Sequence, residues 1–187
     1  HHGLDPAQFS GTGGVVPFES AFYPLWWSIV SALDVNAAGG LDLRAVDAQL
    51  GILLVAFVAA AARLLTGRVR PSILWSGLLL LLASPELLRQ AQGGGADLPL
   101  AFFVALAAVA GWIWLEERSR FALVVVFFGS VGAVQIKFEG AAVLGILLAV
   151  LGLFAVRAAP RLWGVFVLAL LTGAPWLVWR GDHGVGD

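Results

Sequence analysis

No cysteine and no methionine occur in this 187-residue chain, it has a single lysine, and charge of either sign is scarce. Without cysteine there are no disulfides, thiolate nucleophiles or Cys-ligated zinc and iron–sulfur sites, though the redox compartment stays open. The missing methionine carries a different message. Translation begins with one, and an apolar chain of this size normally uses several, so the sequence reads as an internal or processed segment of a longer protein. Charged residues make up 12% and hydrophobic residues 60%, against roughly 25% and 45–50% in ordinary soluble domains. So little polar material does not cover a globule of this size, and the composition implies that much of the surface faces lipid. A net charge of −1 from eleven basic and twelve acidic residues says nothing about partners. Also missing are a Gly-rich nucleotide loop, a Ser-His-Asp order and a His-x-x-x-His pair. Cytosolic nucleotide chemistry is unsupported, no nucleic-acid partner is expected, and no cofactor or metal is identified.

What the chain does have is long apolar runs. A spanning helix needs about 20 mostly apolar residues, and six candidates meet or approach that length: Ala45–Leu65, Ser72–Leu88, Leu98–Leu115, Phe121–Ile136, Ala141–Val156 and Leu162–Trp179. The fourth and fifth are separated only by Lys137-Phe138-Glu139-Gly140. A Lys and a Glu in the middle of one span are costly, so two spans joined by a tight polar turn are expected. The fold class is therefore an all-α polytopic transmembrane helix bundle of about six spans. Residues 1–44 form an extracytoplasmic loop, 45–180 the bundle and 181–187 the start of the next loop. Within the first loop, Pro24 is placed to start a short helix reaching Leu33. It gathers Tyr23, Trp26 and Trp27 as amphipathic aromatics suited to the headgroup layer.

Sidedness follows from the connections. One set holds Arg63, Arg68, Arg70, Arg118, Arg120, Arg157 and Arg161; the other holds Arg44, Arg89, Lys137 and Arg180. Basic residues are retained in the cytoplasm, so the first set is assigned there. Only Glu116 and Glu117 among the acids share that side. The rest gather on the second, extracytoplasmic side, which is where chemistry is expected.

Few polar residues interrupt the spans, so each is weighed singly. Asp97, followed by Pro99 and preceded by Gly93-Gly94-Gly95, suits a helix N-cap, with or without an added polar contact in a cavity. Lys137 either snorkels to the headgroups with Glu139 as its balance, or binds an anionic group at the membrane surface. Arg89 runs against the positive-inside trend; phosphate binding or pairing with Glu86 would account for it. Asp5, Glu19, Asp34, Asp42 and Asp47 show no spacing that demands paired acid–base work. His183 reads as a lone exposed histidine.

Several short stretches, in order, resemble the GT-C class of multispanning glycosyltransferases, in particular bacterial relatives of protein O-mannosyltransferases and aminoarabinose transferases. They are His2-Gly3-Leu4-Asp5-Pro6 with Phe22-Tyr23-Pro24-Leu25, then Arg89-Gln90-Ala91 leading to Ala96-Asp97-Leu98-Pro99-Leu100-Ala101. Lys137-Phe138-Glu139-Gly140 and Pro175-Trp176 before His183-Gly184 complete the series. The resemblance implies an integral cytoplasmic-membrane enzyme that transfers a sugar from a polyprenyl-phosphate donor to a glycan, lipid or protein acceptor outside the cytoplasm. Such enzymes keep a catalytic acid early in the first large loop. Here that acid is expected upstream, so the catalytic residue is unknown and the segment is expected to be inactive alone. Relatives often carry an acidic or His-Pro pair just before Tyr-Pro; Ser20-Ala21-Phe22 departs from that pattern and leaves Glu19 as the substitute. Lys137 and Arg89 are the candidates for donor phosphate, and Asp97 and Glu139 for orienting sugar or acceptor, because a leaving phosphate at the interface needs its charge neutralised. A membrane transporter or lipid flippase is the alternative; it calls for charges or broken helices near mid-span and an internal repeat. A non-catalytic scaffold leaves the one-sided acids unexplained.

Overall fold

The computed structural model describes residues 43–92, 96–154 and 159–182, together with Leu33, Asn36 and Ala37. The expected interfacial helix lies outside the described residues except for Leu33, which is helical and exposed. Asp5, Glu19, Arg157 and His183 also lie outside them.

Every element among the described residues is helical: α1 (Leu43–Leu65), α2 (Pro71–Leu82), α3 (Pro85–Gln92), α4 (Asp97–Glu117), α5 (Arg120–Ile136), α6 (Phe138–Phe154), α7 (Ala159–Leu171) and α8 (Ala174–Asp182). An isolated bridge, Thr66 to Val69, closes the turn after α1. Two helices, α1 and α4, are long and apolar enough to cross a membrane; at 1.5 Å per residue they measure about 34 and 32 Å. Of their apolar windows, 17% of that in α1 but 44% of that in α4 is buried, so α4 is central and α1 peripheral.

Two of the expected spans are broken. Ser72–Leu88 divides at Ala83–Ser84 and Leu162–Trp179 divides at Thr172–Gly173, each just ahead of a proline. Pro85 and Pro175 each lack the N–H a continuous helix would need there; Ser84 before Pro85 leaves the helix, while Ala174 before Pro175 already opens α8. Ser84 then restarts the helix, its hydroxyl accepting from the Leu87 amide at 3.5 Å, with Pro85 first in α3 and Glu86 in the first turn, a favoured helix opening. Between α4 and α5, Arg118 takes φ 55° and Ser119 caps α5 by accepting from the Ala122 amide.

Packing centres on α4 and α5. Leu64, Ala107, Ala110, Ile113, Trp114, Ala122, Val126, Ala133, Leu144, Leu162 and Phe166 form one buried cluster. A second joins Phe57, Leu87, Leu98 and Phe102, where the Phe57 and Phe102 rings stack 4.3 Å apart. Such a pair is worth about 0.5–1.5 kcal/mol beyond its buried area. Glycines set the close approach of α5 to α4: a Cβ on Gly129 would lie 3.0 Å from the Phe103 carbonyl oxygen, and one on Gly132 would run into the Phe103 ring. Small residues at the contact let the backbones meet, the usual device of helices that pack without a water-driven hydrophobic force. The outer faces stay apolar: Ile52, Val55, Leu80, Phe128, Ile146 and Leu153 are all exposed. Water tolerates isolated apolar residues of this kind but not a surface made of them.

Candidate functional site

Chain direction sorts the connections into two ends. The starts of α1, α4 and α6, the C-terminus of α5, and α3 and α8 lie at one; the turns Thr66–Arg70 and Arg118–Ser119 and the start of α7 lie at the other. At the first end, Lys137 stands alone between α5 and α6 with extended angles, φ −146° and ψ 146°. It forms the tight polar turn, though α6 resumes at once with Phe138, carrying Glu139 in its first turn. The Lys137 amide donates to the Ala133 carbonyl at 3.3 Å and the Gly140 amide to the Lys137 carbonyl at 3.0 Å. A Cβ on Gly140 would press into the Ala133 carbonyl, so the corner needs glycine to bring α6 back against α5.

The Lys137 ammonium reaches across to α4 and donates to the Asp97 carboxylate at 2.5 Å, over 40 residues of sequence. The side chain of Lys137 is 17% exposed and that of Asp97 62%: the cation is mostly enclosed while its partner faces outward. This corrects the capping expectation. Asp97 is the first residue of α4, the N-cap is Ala96, and no side chain caps that end. Attraction to Lys137 takes the carboxylate that was expected to bond backbone amides.

Arg89 pairs with Glu86 on α3 by a two-point contact, Nε to one carboxylate oxygen at 2.9 Å and Nη2 to the other at 2.6 Å, and the Gln90 amide donates to the same carboxylate at 3.0 Å. Of the two explanations for Arg89, pairing is the one observed, and it leaves Nη1 free of the carboxylate. The Arg89 and Gln90 contacts, in that order, hold the Glu86 carboxyl at about 2, below its ordinary 4.5. Leu87 anchors α3 against Leu98 and Phe102 of α4, bringing this pair to the Asp97 end. Glu139 is exposed on the same end.

Sequence reasoning passed over one more contact at this end. Gln135, one residue before the last residue of α5, donates from Nε2 to the Thr172 carbonyl at 2.6 Å, tying α5 to the break between α7 and α8. A glutamine inside an apolar run was the available signal. Ser130 on α5 is wholly buried, and its hydroxyl has no hydrogen-bond partner among the described residues. A shallow open groove lies along Ser72, Ser76, Gly77 and Leu80 of α2, on the outer face and away from Lys137. Among the described residues, no three His, Asp or Glu side chains gather as metal ligands. Compared with known protein families, curated proteins and solved structures, the chain matches none.

Proposed function

We propose that the chain is the helical body of a multi-pass membrane glycosyltransferase of the GT-C type, acting on a polyprenyl-phosphate-linked sugar at the extracytoplasmic face. In this reading α1, α4, α5 and α6 span the membrane. The shorter α2 and α7, about 18 and 20 Å long, are carried into the headgroup layer by α3 and α8. The observation that supports it best is the Lys137–Asp97 pair: the only lysine of an apolar chain is held at the bundle end by a carboxylate from another helix, with exposed apolar faces beside it. A lipid phosphate places its tail along such faces and its charge at such an end.

The chemistry follows from charge. An acceptor hydroxyl attacks the anomeric carbon, the bond to the phosphate oxygen breaks, and the electron pair leaves with the phosphate. Lys137 stabilises that developing charge. To do so it exchanges Asp97 for phosphate, which frees the Asp97 carboxylate to orient sugar hydroxyls, with Glu139 exposed at the same end. Arg89 keeps its contact with Glu86 and offers Nη1 to the anion. The acceptor's proton passes to a base outside this set, and none of these carboxylates is assigned that role.

In the protein in its native membrane, Lys137→Ala abolishes transfer from a polyprenyl-phosphate sugar panel while expression and insertion persist, and Lys137→Arg retains donor binding. Undiminished transfer in Lys137→Ala overturns the assignment. One observation favours transport instead: α2 and α7 break about two-thirds of the way across a core of roughly 30 Å. Substrate accumulation in sealed vesicles without sugar transfer would select that reading.

A further inference from the structure

The opposite end of the bundle carries charge that sugar transfer does not use. Arg63, Arg70, Arg120 and Arg161 are exposed there, and none forms an ion pair with a described carboxylate. Among the described residues, the two acids at that end, Glu116 and Glu117, are already engaged. Glu117 accepts from Nε and Nη2 of Arg68, and Glu116 accepts the Trp112 indole N–H at 2.9 Å. The Arg68–Glu117 bridge ties the α1–α2 turn to the α4–α5 turn. Leu162, at the start of α7, lies in the same buried cluster as Leu64, Trp114 and Ala122. Arg70, Arg120 and Arg161 therefore stand on three neighbouring turns of one surface.

These three arginines do not serve the helices they open. Arg70 is the N-cap of α2, Arg120 is the first residue of α5, and Arg161 is the third of α7, positions where positive charge opposes the helix dipole. Each is followed within three residues by a large exposed apolar side chain: Ile73 at 61%, Phe121 at 60% and Trp163 at 39%. A guanidinium at the rim with an apolar wall beside it presents paired donors to a phosphate and a seat to an acyl chain.

We propose that this end binds anionic phospholipid, with Arg70, Arg120 and Arg161 holding headgroup phosphates and Ile73, Phe121 and Trp163 seating the chains. The proposal rests on the membrane reading and not on the transfer reaction. A choline headgroup carries the same phosphate but adds a cation to a cationic rim, so lipids of net negative charge are preferred.

The test is thermal unfolding of the purified protein in phosphatidylcholine vesicles and in vesicles containing phosphatidylglycerol. Phosphatidylglycerol raises Tm by about 5 °C, and added salt shrinks the gain. The Arg70→Gln/Arg120→Gln/Arg161→Gln variant loses most of the gain while keeping its Tm in phosphatidylcholine. Each single variant loses part, so any one that folds carries the test. Equal Tm in both lipids, a gain that persists in the variants, or one that free glycerol phosphate reproduces overturns the proposal and leaves the membrane reading standing. Failure to incorporate into either vesicle overturns both.

Discussion

Replacing Gly140 with alanine tests whether the corner at Lys137 is set by backbone contact. The added Cβ would lie 2.8 Å from the Ala133 carbonyl carbon and 2.8 Å from Leu100 Cδ1, and closer still to the Ala133 oxygen. Carbon pairs rest at about 3.5 Å or more, so α5 and α6 must part by about 0.7 Å. Leu100 has freedom to turn aside. Ala133 does not, since its side chain is wholly buried and its carbonyl accepts the Lys137 amide. Overpacking of this kind costs about 1–3 kcal/mol, or a Tm lowered by about 3–10 °C in a chain of this size. Thermal unfolding in detergent micelles measures it, with Gly77→Ala as the reference, because a Cβ there meets nothing within 4 Å. Truncating Leu100 does not rescue the variant. If Gly140→Ala is as stable as Gly77→Ala, or if Leu100→Ala restores it, the corner is not built on the Ala133 carbonyl and the placement of Lys137 has another cause.

Two further outcomes are expected. Arg68 donates to Glu117 through Nε and Nη2 and to the Leu64 carbonyl through Nη1 at 2.6 Å, and the Glu117 contact holds its guanidinium above the usual range. Lysine lacks that planar fork, so Arg68→Lys speeds amide hydrogen exchange in the Thr66–Arg70 turn several-fold; unchanged exchange refutes the staple. Glu86, paired with Arg89, titrates near 2 instead of 4.5. Because its carboxyl is lowered in the folded state, the pair's contribution is complete above about 4.5 and is lost as pH falls towards about 2. Carboxyl-carbon NMR of the protein in micelles reads the midpoint directly, and a value near 4.5 refutes the pairing.

Most of the candidate site could be read one residue at a time and none of it as a set. Lys137, Asp97, Arg89 and Glu139 are conspicuous in the sequence because an apolar chain carries so few polar groups. That Lys137 meets Asp97, 40 residues away, at 2.5 Å is a matter of helix arrangement. Gln135 was overlooked for a similar reason: its acceptor is a backbone carbonyl, that of Thr172, 37 residues later at the break between α7 and α8. The Pro85 and Pro175 breaks were legible as ring chemistry. Their apolar surroundings nevertheless suggested continuous spans, because hydropathy sees side chains and not amides.

What the sequence determined by itself is local. Apolar run length dictates where helices lie, and proline and isolated charge dictate where they are interrupted, because those effects act through one residue's own backbone or its solvation. Only the tertiary structure decided which ends adjoin. Arg68 meets Glu117 over 49 residues, Lys137 meets Asp97 over 40, and Gly129, Gly132 and Gly140 come up against neighbouring atoms only because α4, α5 and α6 are side by side. The reason is physical: an ion pair or a backbone contact depends on distance through space, and in a helical chain that distance is set by how the helices pack.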